Sequence, residues 1–128
     1  MLKRVLMVTT LFLATLPLSP SYADMPNTET DIAILKIDFH VKPERLAEFM
    51  NIMKGVDSAM QGEVGFRFAK VYVNMDDAGK ITLIEGWETR ALHEKHYQAI
   101  NENGVWPMIL EMQATAPLMG YFNHIPGN

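Results

Sequence analysis

DIAILKIDFHVKP, residues Asp31–Pro43, decides how the rest of the chain is read. Side chains alternate along an extended backbone, so Ala33, Leu35, Ile37, Phe39 and Val41 share one face and Ile32, Ile34, Lys36, Asp38 and His40 the other. One face is wholly apolar and the other mixed, the pattern of a strand that buries one side. Pro43 then stands where the first turn of a helix tolerates a missing N–H. Beyond it Leu46, Phe49, Met50, Met53, Val56 and Met60 recur at steps of three and four, which predicts an amphipathic helix ending near Gly62.

Downstream, EVGFRFAKVYVNM carries aromatic and β-branched residues without a helical period; the turn signal DDAGK and the extended run ITLIEGWE complete a hairpin. Thr89 is the expected N-cap of a second helix, RALHEKHYQAINEN, with Leu92, His96, Ala99 and Ile100 along its inner side, and Gly104 ends it. Another helical turn or two is expected to start near Pro107, and Pro117 to introduce a last strand, LMGYFNHI. The order strand, helix, strand, strand, helix, strand predicts an α+β, ferredoxin-like antiparallel sheet with helices on one face. The uncovered face would still carry apolar residues, Ile32 and Ile34 among them, so two such sheets are expected to meet across a homodimer.

Ahead of this domain, Lys3 and Arg4, the apolar run VLMVTTLFLATL and the small residues Ser21 and Ala23 have the layout of a secretory signal peptide. The expected organisation is a signal peptide over 1–23 cut between Ala23 and Asp24, a flexible lead-in over 24–30 and one domain over 31–126. The apolar run is shorter than the roughly 20 residues a membrane-spanning helix needs, so the mature chain is expected in the periplasm or secreted, without stable membrane insertion. Eleven Lys and Arg against fifteen Asp and Glu give a net charge of −4, and losing Lys3 and Arg4 would make it more acidic. Nothing basic remains to follow a phosphate backbone, which argues against nucleic acid. The absence of cysteine excludes disulfides, thiolate chemistry and cysteine-ligated metals.

IEGWETRALHEKH, Ile84–His96, is where chemistry is expected. Alternation places Ile81, Leu83, Glu85 and Trp87 on one strand face, and His96 follows Trp87 by nine residues on the next helix, near enough to share a pocket. Taken together, VKPERLAEFMNIM, GEVGFRFAKVY and IEGWETRALHEKH resemble the antibiotic biosynthesis monooxygenase family of dimeric α/β barrels, which includes quinol monooxygenases and other cofactor-independent oxygenases. The likeness lies in a strand end, proline and first helix, an acidic residue, one position and a glycine before the second strand, and Glu-x-Trp followed nine residues after the tryptophan by a helix histidine. It implies a cofactor-independent monooxygenase acting on a small phenol or quinol with O2, with Trp87 and His96 as the pocket residues. The haem-degrading branch adds an asparagine in the first strand; AILKIDFHV has none, so the resemblance points away from haem.

Such a site must remove a proton, hold a ring and exclude water, because a deprotonated quinol itself reduces oxygen. His96 is the candidate base and Trp87 the ring-facing wall, with Tyr72, Glu85, Tyr97 and Tyr121 as candidate substrate-binding residues. Each also has a plainer reading: Trp87 and His96 as core, Glu85 paired with a cation at the sheet edge, the tyrosines as filling. Two other functions fit the same pocket, a non-catalytic binder of small aromatic ligands and an interaction domain whose pocket is filled by side chains. His93 and His96 stand one residue too close for the His-Glu-x-x-His zinc pattern, and one of them is expected to face solvent. Asp76 and Asp77 read as turn residues, and no metal or cofactor is expected.

Overall fold

A computed structural model describes residues 32–125. The expected signal peptide, cleavage site and lead-in lie outside the described residues. Within them β1 (Ala33–Val41) leads through a 3-10 turn (Pro43–Arg45) into α1 (Leu46–Met60). β2 (Phe66–Val73) and β3 (Lys80–Trp87) form the hairpin, followed by α2 (Arg90–Glu102), α3 (Val105–Glu111) and β4 (Gln113–Asn123). The sheet is antiparallel throughout in the order β2-β3-β1-β4, an open ferredoxin-like α+β arrangement.

The parity of β1 settles which face the helices cover. Leu35, Ile37, Phe39 and Val41 are buried, and Phe39 meets Phe49 of α1 edge-on at 4.9 Å between ring centroids and Trp106 of α3 at 6.3 Å. From β3, Ile81, Leu83, Glu85 and Trp87 join the same face, because residues of matching parity oppose one another across the β1–β3 ladder. The other face presents Ile34, Phe68, Ile84 and Phe122 at one end, with Lys36, Asp38 and Thr82 at the other; the Asp38 carboxylate accepts from Lys36 at 2.6 Å and from the Thr82 hydroxyl at 2.7 Å.

Two boundaries differ from the sequence reading, both at prolines. α3 begins at Val105, so Pro107 sits inside its first turn, where no intrahelical N–H is needed. β4 begins at Gln113, and Pro117 lies within it rather than at its start. β4 is an edge strand, and its register with β1 shifts between Leu118 and Thr115, so the proline occupies an irregularity and costs no regular ladder bond. Gly104 has φ 88° and separates α2 from α3. No described helix is long and apolar enough to cross a membrane.

Candidate active site

The central strand β3 sends Glu85 and Trp87 under the helices, and the chain turns at once into α2, whose first turn is held by Thr89 accepting the Leu92 N–H at 3.2 Å. Gly65 must be glycine here: its φ is 82°, and a Cβ would lie 2.4 Å from Leu92 Cδ1. This close contact fixes the N-terminal part of α2 against the loop after α1. His93, His96 and Tyr97 therefore project toward the sheet, the first two with side chains 3% and 10% exposed.

Between helices and sheet lies a cavity of about 300 Å³. Its walls are mostly apolar, with Ile37, Met53, Met60, Leu83, Ile100 and Trp106 among them, while Glu63, Glu85, His93 and His96 supply polar groups. This volume suits one small ligand held by apolar contact and a few polar groups.

The polar groups form one connected set. Trp87 donates its indole N–H to Glu85 Oε2 at 2.7 Å. The same oxygen lies 3.9 Å from His93 Nε2, and His93 Nδ1 is 2.5 Å from the Tyr121 hydroxyl. The guanidinium of Arg90 sits 4.3 Å from the centroid of the Tyr121 ring. His96 Nδ1 is buried without a hydrogen bond, 3.6 Å from Glu63 Oε2.

Burial governs protonation in this set. It pulls His93 down to about 4, helped by the neighbouring His96 and opposed by Glu94. It also pushes the Glu85 carboxyl up, against the Trp87 hydrogen bond. Both shifts disfavour the charged forms, and with His93 neutral near pH 7 its approach to Glu85 is not an ion pair. Tyr121 is raised, chiefly by burial, and keeps its proton at neutral pH. When His93 carries its hydrogen on Nε2, Tyr121 donates to Nδ1.

Of the residues singled out in the sequence, Glu85, His96 and Tyr97 line the cavity. Trp87 does not: it is fully buried behind the two imidazoles, 5.3 Å from the His93 ring and 5.1 Å from the His96 ring, with Phe66 on its other side at 5.5 Å. It is a backing for the site rather than a ring-facing wall. Glu85 is on a central strand with no cation beside it, not at the sheet edge. Tyr121 touches His93 from β4, and Tyr72 lies on the opposite face of the sheet, in an open groove with Asp38, His40 and Thr82. Neither histidine of the pair points to solvent.

His93, Glu63 and Trp106 were missed as site residues. The signal for His93 was present: 93, 96, 97 and 100 form an i, i+3, i+4, i+7 stripe, one step from the stripe through Leu92. Glu63 and Trp106 come from a loop and a short helix, where no period betrays orientation. Among the described residues no three His, Asp or Glu side chains are grouped to hold a metal ion.

The family model described as antibiotic biosynthesis monooxygenase matches residues 32–101, more than half of the chain. Among solved structures, a conserved protein from Methanosarcina mazei Go1 superposes with TM-score 0.65 at 20% identity, over 73% of this chain and 93% of that one. A structure described as an antibiotic biosynthesis monooxygenase does so with TM-score 0.62 at 20% identity, over 74% and 99%. A Nitrosomonas europaea protein assigned to the same group gives TM-score 0.67 at 13% identity, over 80% and 98%. At such identities these likenesses establish the fold alone. No curated protein matches the sequence.

Proposed function

Because the chain belongs to the antibiotic biosynthesis monooxygenase family, we propose that it is a cofactor-independent monooxygenase that oxidises a small phenol or quinol with O2 in the cavity between helices and sheet. The observation that carries this reading is the cavity itself: about 300 Å³, apolar over most of its wall, with two imidazoles and two carboxyls gathered on it. Apolar walls hold the ring and keep water away from an oxygenated intermediate. His96 is the base, since its Nδ1 is free of any hydrogen bond within the described residues, whereas His93 is engaged by Tyr121 and is hard to protonate.

Removing the phenolic proton makes the ring electron-rich enough to reduce oxygen. Overall the substrate loses two hydrogens and gains one oxygen atom, and the second oxygen atom leaves as water. The same reading includes a homodimer formed through the uncovered sheet face, supported by Ile34, Phe68 and Phe122 on that face, and export to the periplasm, supported by the leader-like residues 1–23.

The test is oxygen consumption by the mature protein, residues 24–128, across a panel of quinols and phenols without added flavin or metal. Uptake is expected with at least one of them, and His96→Ala is expected to lower kcat about 100-fold or more. Thermal stabilisation by these compounds with no uptake would make the protein a binder of aromatic ligands instead.

A further inference from the structure

Monooxygenation in this cavity needs an acid as well as a base. Once oxygen has added to a ring carbon that still bears hydrogen, the peroxide takes from His96 the proton that came from the phenol, and the product forms when the resulting hydroperoxide loses water. The C–H bond breaks and its electron pair becomes the second bond of a new carbonyl. The hydrogen leaves as a proton to His96. The O–O bond breaks, and the distal oxygen, departing with the electron pair of that bond, must take a proton to become water.

On the premise of that oxygenation, we propose that Glu85 is the cavity's general acid, delivering a proton to the departing oxygen and drawing its replacement through His93 and Tyr121. Glu85 is 4% exposed and lines the cavity. Its Oε2 accepts the Trp87 N–H at 2.7 Å. Its strand partners are apolar, Leu35 on β1 and Ala69 on β2. The ionisable groups gathered around the carboxyl are His93, His96 and Tyr97 from α2, Glu63 from the loop after α1, and Tyr121 behind His93 from β4. None is a resident cation: Lys and Arg side chains are absent from the cavity wall.

Burial, with no Lys or Arg on the cavity wall, strengthens this carboxyl's hold on its proton. His93 is the poorer acid donor because its cation is scarce near neutral pH. It is well placed to resupply Glu85, however. Tyr121 donates to Nδ1 while the Nε2–H faces Glu85 Oε2 across 3.9 Å, a gap the carboxyl closes by swinging about 1 Å to hydrogen-bonding range. Tyr121 is only part-buried, so it links the chain to solvent. Each turnover then takes up one proton through Tyr121 and releases one from His96.

The test separates this role from the oxygenation on which it rests. Infrared difference spectra of wild type and Glu85→Gln at pH 7 are expected to show a protonated-carboxyl C=O band in the wild type only. In Glu85→Gln, oxygen uptake is expected to persist in the first turnover while product formation slows about 100-fold or more and the hydroperoxide accumulates. In Tyr121→Phe the first turnover is expected to be normal and later ones slow, because the first uses the proton already on Glu85. A wild-type spectrum without the band, a Glu85→Gln enzyme with unchanged kcat, or a Tyr121→Phe enzyme slowed equally in its first turnover overturns the proposal. A wild type that shows the band but turns over no phenol overturns the oxygenation reading, and the acid role with it.

Discussion

Both faces of the sheet carry apolar side chains and use them differently. On the covered face, Leu35, Ile37, Phe39, Leu83 and Trp87 are sealed by three helices, and the buried Glu85 and His93 border the cavity. On the bare face, Ile34 and Phe68 are part-buried and Phe122 is 53% exposed, while the polar groups form an ordinary pair, Lys36 with Asp38. Apolar content alone therefore does not say what a face is for. Enclosure does: it disfavours the charged forms of Glu85 and His93, whereas Asp38, more exposed and bonded to Lys36, is held below the ordinary carboxylate range.

The contrast breaks most visibly at Trp87. Its indole contacts Phe66, His93 and His96 and holds Glu85, with no exposed surface. Trp87→Ala is expected to cost about 3–5 kcal/mol by opening a void and orphaning the Glu85 carboxyl. A denaturant titration checks this. A loss below about 1 kcal/mol would mean that the covered face tolerates voids as a surface does.

The same contrast explains what could be read from the chain alone. Parity in β1 and β3 is a local property, so DIAILKIDFHV and ITLIEGWE disclosed their buried faces, and Thr89 disclosed the start of α2. The Glu85, His96 and Tyr97 positions followed from that. Depth along a side chain's direction is not local: whether an indole borders a hollow or stands behind it depends on what packs between, and at Trp87 two imidazoles do. The inner stripe of α2 was misjudged by one residue because polar His93 lies on it while Leu92 packs beside Gly65. Pro117 misled because a proline at an edge-strand irregularity looks, in sequence, like a strand start.

Acid should distinguish the faces next. The unfolded His93 titrates at its ordinary value of 6.5 and the folded one at about 4, so between these limits the unfolded chain binds more protons. His93 thus contributes stability that is fully present above pH 6.5 and is lost as pH falls toward 4, a difference of roughly 3 kcal/mol. Glu85 acts in the opposite sense: its folded value is raised above 4.5, so it favours the folded state as pH falls through that raised value. Thermal melts of wild type and His93→Gln between pH 7 and 4 are therefore read as a difference. The wild type is expected to lose stability relative to the variant, and parallel curves would mean that His93 is not held neutral by burial.

The smallest effect on monomer stability, and the sharpest statement about the bare face, is expected from Ile34→Lys. Ile34 is part-buried opposite Gly86 and Phe122, and it borders a shallow hollow with Phe68 and Phe122. In an isolated chain a lysine there lays its methylenes over the aromatic rings and keeps its ammonium in water, so the melting curve should change by less than about 1 kcal/mol. In a sheet-to-sheet dimer packed on this hollow the same ammonium is buried among apolar side chains, at a cost of several kcal/mol. Light scattering at micromolar concentration should therefore report a dimer for wild type and a monomer of nearly unchanged stability for Ile34→Lys. A wild-type monomer would leave the bare face with no second sheet to cover it. A dimer untouched by the lysine would place the contact elsewhere on the molecule, since an interface centred on Ile34, Phe68 and Phe122 cannot absorb an unpaired charge at its middle.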